Sequence, residues 1–403
     1  MKGNVVDLDA KRARLKRRLR AHLKSLGFTR DALGGLVPPS MTKESYREVH
    51  LHQRNQKLKD SREWIDSKSA SLIEHFASGR DVSVSDIRPR LEVAAGGTRA
   101  GDLFRFASYN WRIPVSEGYG RRLRFLVWDE SNNKLIGLIA LGDAVFNLKA
   151  RDANIGWDHL RRKEALVHLM DAYVLGAVPP YNALLGGKLL ASLVRTTDVV
   201  EAFDEKYRDS TGLISKEKKK ARLVAVTTSS SLGRSSVYNR VSLCGRRIFE
   251  PIGYTSGWGH FHFSDALFDD LRSYIADCND EYANGFDFGQ GPNWRIRVVK
   301  RALALLGLSP DLVKHGMVRE VFFCAVAQNA REYLRGDHVR VRYGDLRSVA
   351  EVGKAAIDRW MLPRSLRMPE FQIWQQKDFL TSITTIIRSS SNETRKVGNG
   401  LGG

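Results

Sequence analysis

The stretch VLGAVPPYNALLGGKLLASLV, residues 174–194, constrains the fold more than any other part of the chain. A β-branched, apolar run meets two prolines, turns through Tyr181 and Asn182, and leaves as Gly-Gly-Lys followed by evenly apolar residues. Proline donates nothing to a sheet ladder, so the run before it reads as a strand that ends, and the spacing after it reads as a helix. A strand that hands over to a helix belongs to an α/β protein. The handover leaves backbone N–H groups unpaired at the positive end of a helix dipole, which is a ready seat for an anion. Gly186 and Gly187 permit close approach and Lys188 adds charge, so Tyr181, Asn182, Gly186, Gly187 and Lys188 form a candidate cofactor-phosphate seat. The same two glycines lie several residues into the expected helix, and by spacing alone they fit a place where a second backbone packs closely somewhat better than a phosphate seat.

The charge balance narrows the partners. The 403 residues carry 65 Lys and Arg against 45 Asp and Glu, a net charge of +20, far more than solubility needs. A polyanion is the natural partner, because cations that neutralise phosphates release condensed counterions. Nucleic acid, DNA before RNA, is the expectation. The densest positive stripe lies near the start: Leu8, Leu15, Leu19, Leu23 and Leu26 recur at helical intervals, and eight Lys or Arg with no acid fall between Lys11 and Lys24. Lys11, Arg12, Arg14, Arg17 and Arg18 are therefore candidate phosphate contacts on a basic helix, with a solvated charged face as the alternative.

At 42% hydrophobic residues the chain can build buried cores, and its length fits two or three domains. Cys244, Cys278 and Cys324 are far apart and form no CxxC pair, which points away from a disulfide framework or zinc knuckle and towards a reducing cytoplasm. The most apolar window, KLIGLIALGDAVFNL, is broken by Asp143 and too short for a bilayer, and the basic N-terminus lacks the apolar segment of a secretion signal. No membrane partner is expected.

Along the chain, residues 1–90 read as a basic helical region, 91–290 as an α/β domain, 291–387 as a mainly helical unit, and 388–403 as a disordered tail. Within the second region the Gly-rich AAGGTRAGD leads into a β-rich core. LRFLVWD and KLIGLIALG flank SNN as a hairpin. A charged helix over 158–171, the strand DAYVLGAV, the helix after Tyr181, the polar loop ISKEKKKA, the strand LVAVTTSS and a short helix at RSSVYNRV follow. WRIRVVKRALALLGL and REVFFCAVAQNAREYL read as longer helices of the last third.

Three further clusters carry chemistry. GYGRRLRF sets Arg121, Arg122 and Arg124 beside Tyr119 and Phe125, and strand alternation puts Arg122 and Arg124 on one face, either to stack and pair with nucleic acid or as a basic solvent face. In GHFHF, alternation sends His260 and His262 to one face and Phe261 and Phe263 to the other, so the imidazoles are candidates for proton transfer, nucleic-acid contact, metal ligation or a structural role. No third metal ligand is evident, so no metal site is assigned. Tyr238 is a candidate acid or a core tyrosine with a bonded hydroxyl.

The succession of hairpin, helix, strand, Pro-rich turn, Gly-bearing helix, strand and short tyrosine-bearing helix resembles the acyl-CoA-dependent N-acetyltransferase fold. That resemblance implies an acetyltransferase-like mixed sheet, between the basic helical N-terminal region and the helical C-terminal unit, with an acyl-CoA or other nucleotide at the turn and Tyr238 in the place of its acid. Asn182 and Leu185 replace the first two members of that fold's usual Arg/Gln-x-x-Gly-x-Gly/Ala loop. WRIPVSEGYGRRLRFLVWD, IGLIALGDAVFNLKARDANIGW, VLGAVPPYNALLGGKLLA, TTSSSLGRSSVYNRV and IGYTSGWGHFHF, in that order, resemble the DruA family of the Druantia anti-phage defence systems, over roughly residues 40–365. The resemblance implies a cytoplasmic defence component that binds nucleic acid and recruits other Druantia proteins, one of them helicase-like. It leaves open whether the chain is an enzyme; an acyltransferase acting on nucleic acid or protein is the alternative.

Overall fold

A computed structural model describes residues 2–32, 36, 37, 39, 42–115, 120–211, 218–256, 263–283, 294–314, 317–338 and 340–383. Tyr119, His260, Phe261, His262 and the tail 388–403 lie outside the described residues. The chain divides into two compact units, Met1–Gln56 with Ser256–Val318 and Lys57–Thr255 with Arg319–Gly403.

The first unit is helical. Leu15, Leu19 and Leu23 recur every fourth residue of the helix Lys2–Ser25, so they share one face, and all three are buried. They join one core with Leu267, Leu271 and Ile275 of the helix Asp265–Asp277 and Val298, Val299 and Ala302 of the helix Trp294–Leu305. Each fully buried leucine stabilises the unit by roughly 1.5–3 kcal/mol. The helix ends at Gly27, whose φ of +86° suits a glycine stop.

The second unit is α/β. Its sheet is built from β1 (Pro89–Val93), β2 (Arg122–Asp129), β3 (Lys134–Asp143), β4 (Leu169–Ala177), β5 (Ala225–Ser229), β6 (Glu250–Tyr254) and β7 (Glu320–Ala325). The strand order is β6-β7-β5-β4-β3-β2-β1. β4 and β5 run parallel and the other neighbours antiparallel. The β2–β3 hairpin turns where expected, around Ser131-Asn132-Asn133, with Asn133 at a φ of 55° that asparagine tolerates.

One sheet face carries Leu123, Phe125, Ile139, Met170, Val226 and Phe322, covered by the helices Gly186–Leu193, Thr197–Tyr207 and Val349–Ala356. The opposite face is covered in two places. The helices Arg62–Leu72 and Arg99–Ser108 pack on Leu126, Leu138 and Val174. The helices Lys149–Ile155, His159–Ala165 and Ala330–Arg335 pack on Leu169, Ala225 and Phe323.

Four local expectations are corrected. REVFFCAVAQNAREYL is not one helix: Val321, Phe322, Phe323 and Cys324 form β7, fully buried between β5 and β6, and only Ala330–Arg335 is helical. A β-branched and aromatic run buried on both faces has no periodicity to mark it as a strand. The helix expected over 158–171 ends at Ala165, and after a single 3₁₀ turn β4 begins at Leu169. AAGGTRAGD does not enter the sheet directly. Thr98 caps the intervening helix Arg99–Ser108 by accepting from Gly101 N. In ISKEKKKA, Lys218–Lys220 pairs with Asp209–Thr211 as a short hairpin.

Candidate functional site

β4 and β5 stay in register over Leu169–Ala225, Met170–Val226 and Asp171–Thr227. There the parallel ladder stops, while β4 runs on to Ala177. The end of this parallel ladder, termed the notch below, is marked by polar side chains on both faces.

On one face, Thr227 Oγ1 donates to Asp171 Oδ1 at 2.8 Å. Burial pushes the Asp171 carboxyl up to about 6, against the Thr227 hydrogen bond and the charges of Arg151 and Arg122, which favour ionisation. Arg122, Gly142, Asp171 and Thr227 are successive cross-strand partners on β2, β3, β4 and β5, so they form one transverse row. The row works because its second member is glycine: a Cβ on Gly142 would lie 2.7 Å from Arg122 Nη1 and 3.3 Å from Tyr173 Cδ1. In that space the Arg122 guanidinium sits 4.4 Å from the Tyr173 ring centroid. Arg122 Nε is shielded, with no hydrogen-bond partner among the described residues. Arg122, Arg124, Asp171 and Tyr173 are all partly open, between the two helical groups that cover this face.

On the other face, Thr228 Oγ1 donates to the carbonyl of Ala172 at 2.8 Å. The Tyr238 and Thr228 side chains are also hydrogen-bonded. Burial pushes the Tyr238 phenol up to about 12. Its ring packs 5.2 Å from Phe249 and 5.3 Å from Phe322. Tyr238 thus combines a core contact with a bonded hydroxyl at the notch.

The Pro-rich turn follows β4. Tyr181 is fully buried and its hydroxyl donates to the buried Asp129 Oδ2 at 2.9 Å. Leu185 takes a left-handed φ of 63° and delays the helix, so Gly186 and Gly187 begin it rather than lie inside it. Gly186 N donates to the Tyr181 carbonyl at 2.9 Å, and a Cβ on Gly186 would lie 2.6 Å from that same oxygen. Around Gly187 nothing lies within 4 Å of such a Cβ. Asn182 is exposed. Lys188 lies 5.2 Å over the Trp360 ring, and burial together with Arg240 and Arg359 lowers the pKa of its ammonium.

The remaining basic residues separate by partner. Arg121 donates to Asp143 Oδ1 at 2.7 Å and to the carbonyl of Val167 at 2.8 Å, which holds strands together. Arg124 lies 5.7 Å from the Phe104 ring centroid. In the first unit, Lys11 pairs with Asp277 and Arg18 with Asp270, and Arg12 is half-buried. Arg14 and Arg17, together with Arg20 and Lys24, are exposed and make no ion pair among the described residues. At about 100° per residue these four share the helix face opposite Leu15, Leu19 and Leu23.

Reading the sequence missed Asp171 and Thr227. The available signal was an acid inside the apolar strand LMDAYVLGA, since a carboxylate there needs a partner or a purpose. Among the described residues no group of three or more His, Cys, Asp or Glu is placed to hold a metal ion, and no helix is long and apolar enough to cross a membrane.

A family model described as Druantia protein DruA matches residues 40–336. Druantia protein DruA of Escherichia coli (strain UMEA 4076-1) is 50% identical over 380 residues, covering 94% of this chain and 94% of that protein. No solved structure matches the chain. The stretches quoted above from Trp111 onwards supply the β2–β3 hairpin, the notch and the turn into Gly186, and by both comparisons the chain belongs to the Druantia protein DruA family.

Proposed function

We propose that this chain is a cytoplasmic component of Druantia anti-phage defence that binds nucleic acid, DNA in the first place, and brings other Druantia proteins, one of them helicase-like, to it. One observation carries the reading: Arg14, Arg17, Arg20 and Lys24 stand exposed and without acidic partners among the described residues, on the face of the first helix opposite its buried leucines. Like charges side by side repel, and a phosphate backbone turns that cost into binding through counterion release. The test is duplex binding against salt concentration for the full chain and for a variant carrying Arg14→Gln, Arg17→Gln, Arg20→Gln and Lys24→Gln. Every cation that no longer neutralises a phosphate is expected to reduce the log–log slope by about 0.9. An unchanged slope sinks the reading.

A second reading, group transfer to nucleic acid or protein, is favoured by the notch. A parallel β4/β5 ladder that ends at Asp171, the turn into Gly186, the cations Lys188, Arg240 and Arg359 near its first helical turn, and Tyr238 bonded at the notch all support an acetyltransferase-like site for an acyl-CoA or other nucleotide. Mass spectrometry of what copurifies with the native protein separates the readings. An acyl-CoA or nucleotide favours the enzyme, and nucleic-acid fragments alone favour the binder.

A further inference from the structure

Away from the notch, the second unit contains a cavity of about 320 Å³. Its walls are the end of the helix Gly186–Leu193, the hairpin Ser242–Leu243/Arg246–Arg247 and the segment before the helix Val349–Ala356. Leu243, Ile248 and Val352 line it with buried apolar surface. Three guanidinium groups, those of Arg195, Arg246 and Arg347, line it as well.

The charged residues of the lining are mostly cationic. Arg195 Nη2 donates to Asp345 Oδ1 at 2.5 Å and Arg246 Nη1 donates to Asp345 Oδ2, so one carboxylate serves two arginines. Arg347 is exposed and donates to Cys244 Sγ at 2.9 Å, a weak acceptor. Among the residues that line the pocket, three guanidinium groups face one carboxylate; outside the lining, Glu351 acts on Arg347 and Glu250 on Arg246. The hairpin turns in the type I′ manner usual for a two-residue loop, with an uncommon residue at its first position. Its two central residues, Cys244 and Gly245, have φ of 51° and 75°, and the left-handed position costs a cysteine energy that it would not cost glycine or asparagine. Such strain gathers at ligand sites, and here it sets Cys244 against Arg347.

We propose that this pocket binds a phosphate monoester dianion, the terminal phosphate of a free nucleotide or of a nucleic-acid 5′ end, between Arg347 and Arg246, with the attached nucleoside against Leu243, Ile248 and Val352. A terminal phosphate carries close to two charges at neutral pH, because its second pKa is about 6. A phosphodiester inside a strand carries one. The excess of guanidinium groups in the lining favours the more highly charged terminus, and the concave shape admits a single nucleotide where a duplex does not fit. Planar guanidinium groups suit phosphate oxygens in pairs. The inference uses no residue of the first helix, so it stands or falls apart from nucleic-acid binding there.

The full chain is titrated calorimetrically with AMP, with adenosine, and with one single-stranded hexanucleotide in 5′-phosphorylated and 5′-hydroxyl forms. The expected result is a preference of at least tenfold for the phosphorylated member of one pair or of both. Preference within the AMP pair identifies a free nucleotide as the ligand, and preference confined to the hexanucleotides identifies a strand end. Arg347→Gln should abolish the preference and Arg347→Lys should keep part of it; Arg347 is exposed, so neither change threatens folding. Arg246→Gln is the second variant, expected to weaken the preference in the same direction. Equal binding of both members in both pairs overturns the proposal, and so does a preference that survives Arg347→Gln unchanged.

Discussion

Thr227 Oγ1 donates to Asp171 Oδ1 at 2.8 Å, at the last paired position of the β4/β5 ladder. Burial outweighs that hydrogen bond and holds the Asp171 carboxyl at about 6, whereas an unfolded chain keeps it near 3.9. Between those values the folded state binds more protons than the unfolded state. The group's contribution is therefore complete below about pH 4 and lost as the pH rises through 6, by about 3 kcal/mol. Asp171→Asn removes this dependence. Urea unfolding from pH 4 to 7 is expected to show the variant gaining on wild type by that amount as the pH rises, and parallel profiles would count against the buried carboxyl.

His168 works in the opposite direction over the same range. Its Nδ1 accepts from the Arg222 backbone N–H at 3.1 Å, and burial, then Arg161 and Arg121, lower its pKa to about 4. Here the unfolded state, near 6.5, binds more protons. Stability from His168 is present above pH 6.5 and lost as the pH falls towards 4, again by about 3 kcal/mol. The two groups offset one another between pH 4 and 6. His168→Gln should therefore gain on wild type on acidification, and Asp171→Asn should lose. If both variants moved in the same direction, the assignment of opposite shifts would be wrong.

Gly142 separates the function of the transverse row from its stability. The atom nearest to a new Cβ there is Arg122 Nη1, the free end of a flexible side chain. Gly142→Ala is expected to cost less than about 1 kcal/mol, because Arg122 swings aside without disturbing the ladder. It should nonetheless remove Arg122 from Tyr173. If the row serves defence, Gly142→Ala lowers plaque protection as far as Arg122→Ala does. Full protection by Arg122→Ala would leave the row a structural feature.

What the sequence made legible was local. Two apolar runs around Ser131-Asn132-Asn133 read as a hairpin because turn chemistry and strand composition lie within a few residues. The leucines of the first helix declared their buried face through spacing alone. The rest depended on pairings between distant segments. Lys11 meets Asp277 across 266 residues, so no local pattern shows that this basic helix has spent part of its charge inside its own unit. β7 reads as helix until both of its neighbours are known. Gly142 looks like an ordinary strand glycine until Arg122 and Asp171 fall beside it.

Gly186 and Gly187 are adjacent, and the structure assigns them different work. Gly186 carries the close approach, since a Cβ there would stand 2.6 Å from the Tyr181 carbonyl oxygen and 2.9 Å from Ala177 Cβ. Neither neighbour can yield cheaply: one is backbone, and Ala177 ends β4. Gly186→Ala is expected to cost about 1–3 kcal/mol through overpacking. At Gly187 the space is open and the backbone already helical. Gly187→Ala should therefore leave stability unchanged or raise it by up to about 1 kcal/mol, the difference in helix propensity. Thermal midpoints test both, and a Gly186→Ala variant as stable as wild type would refute the packing account. Plaque protection then reads the anion seat. A Gly187→Ala protein that is fully stable yet fails to protect has lost space reserved for a ligand at the first turn of the helix, while one that protects fully assigns that turn to folding alone.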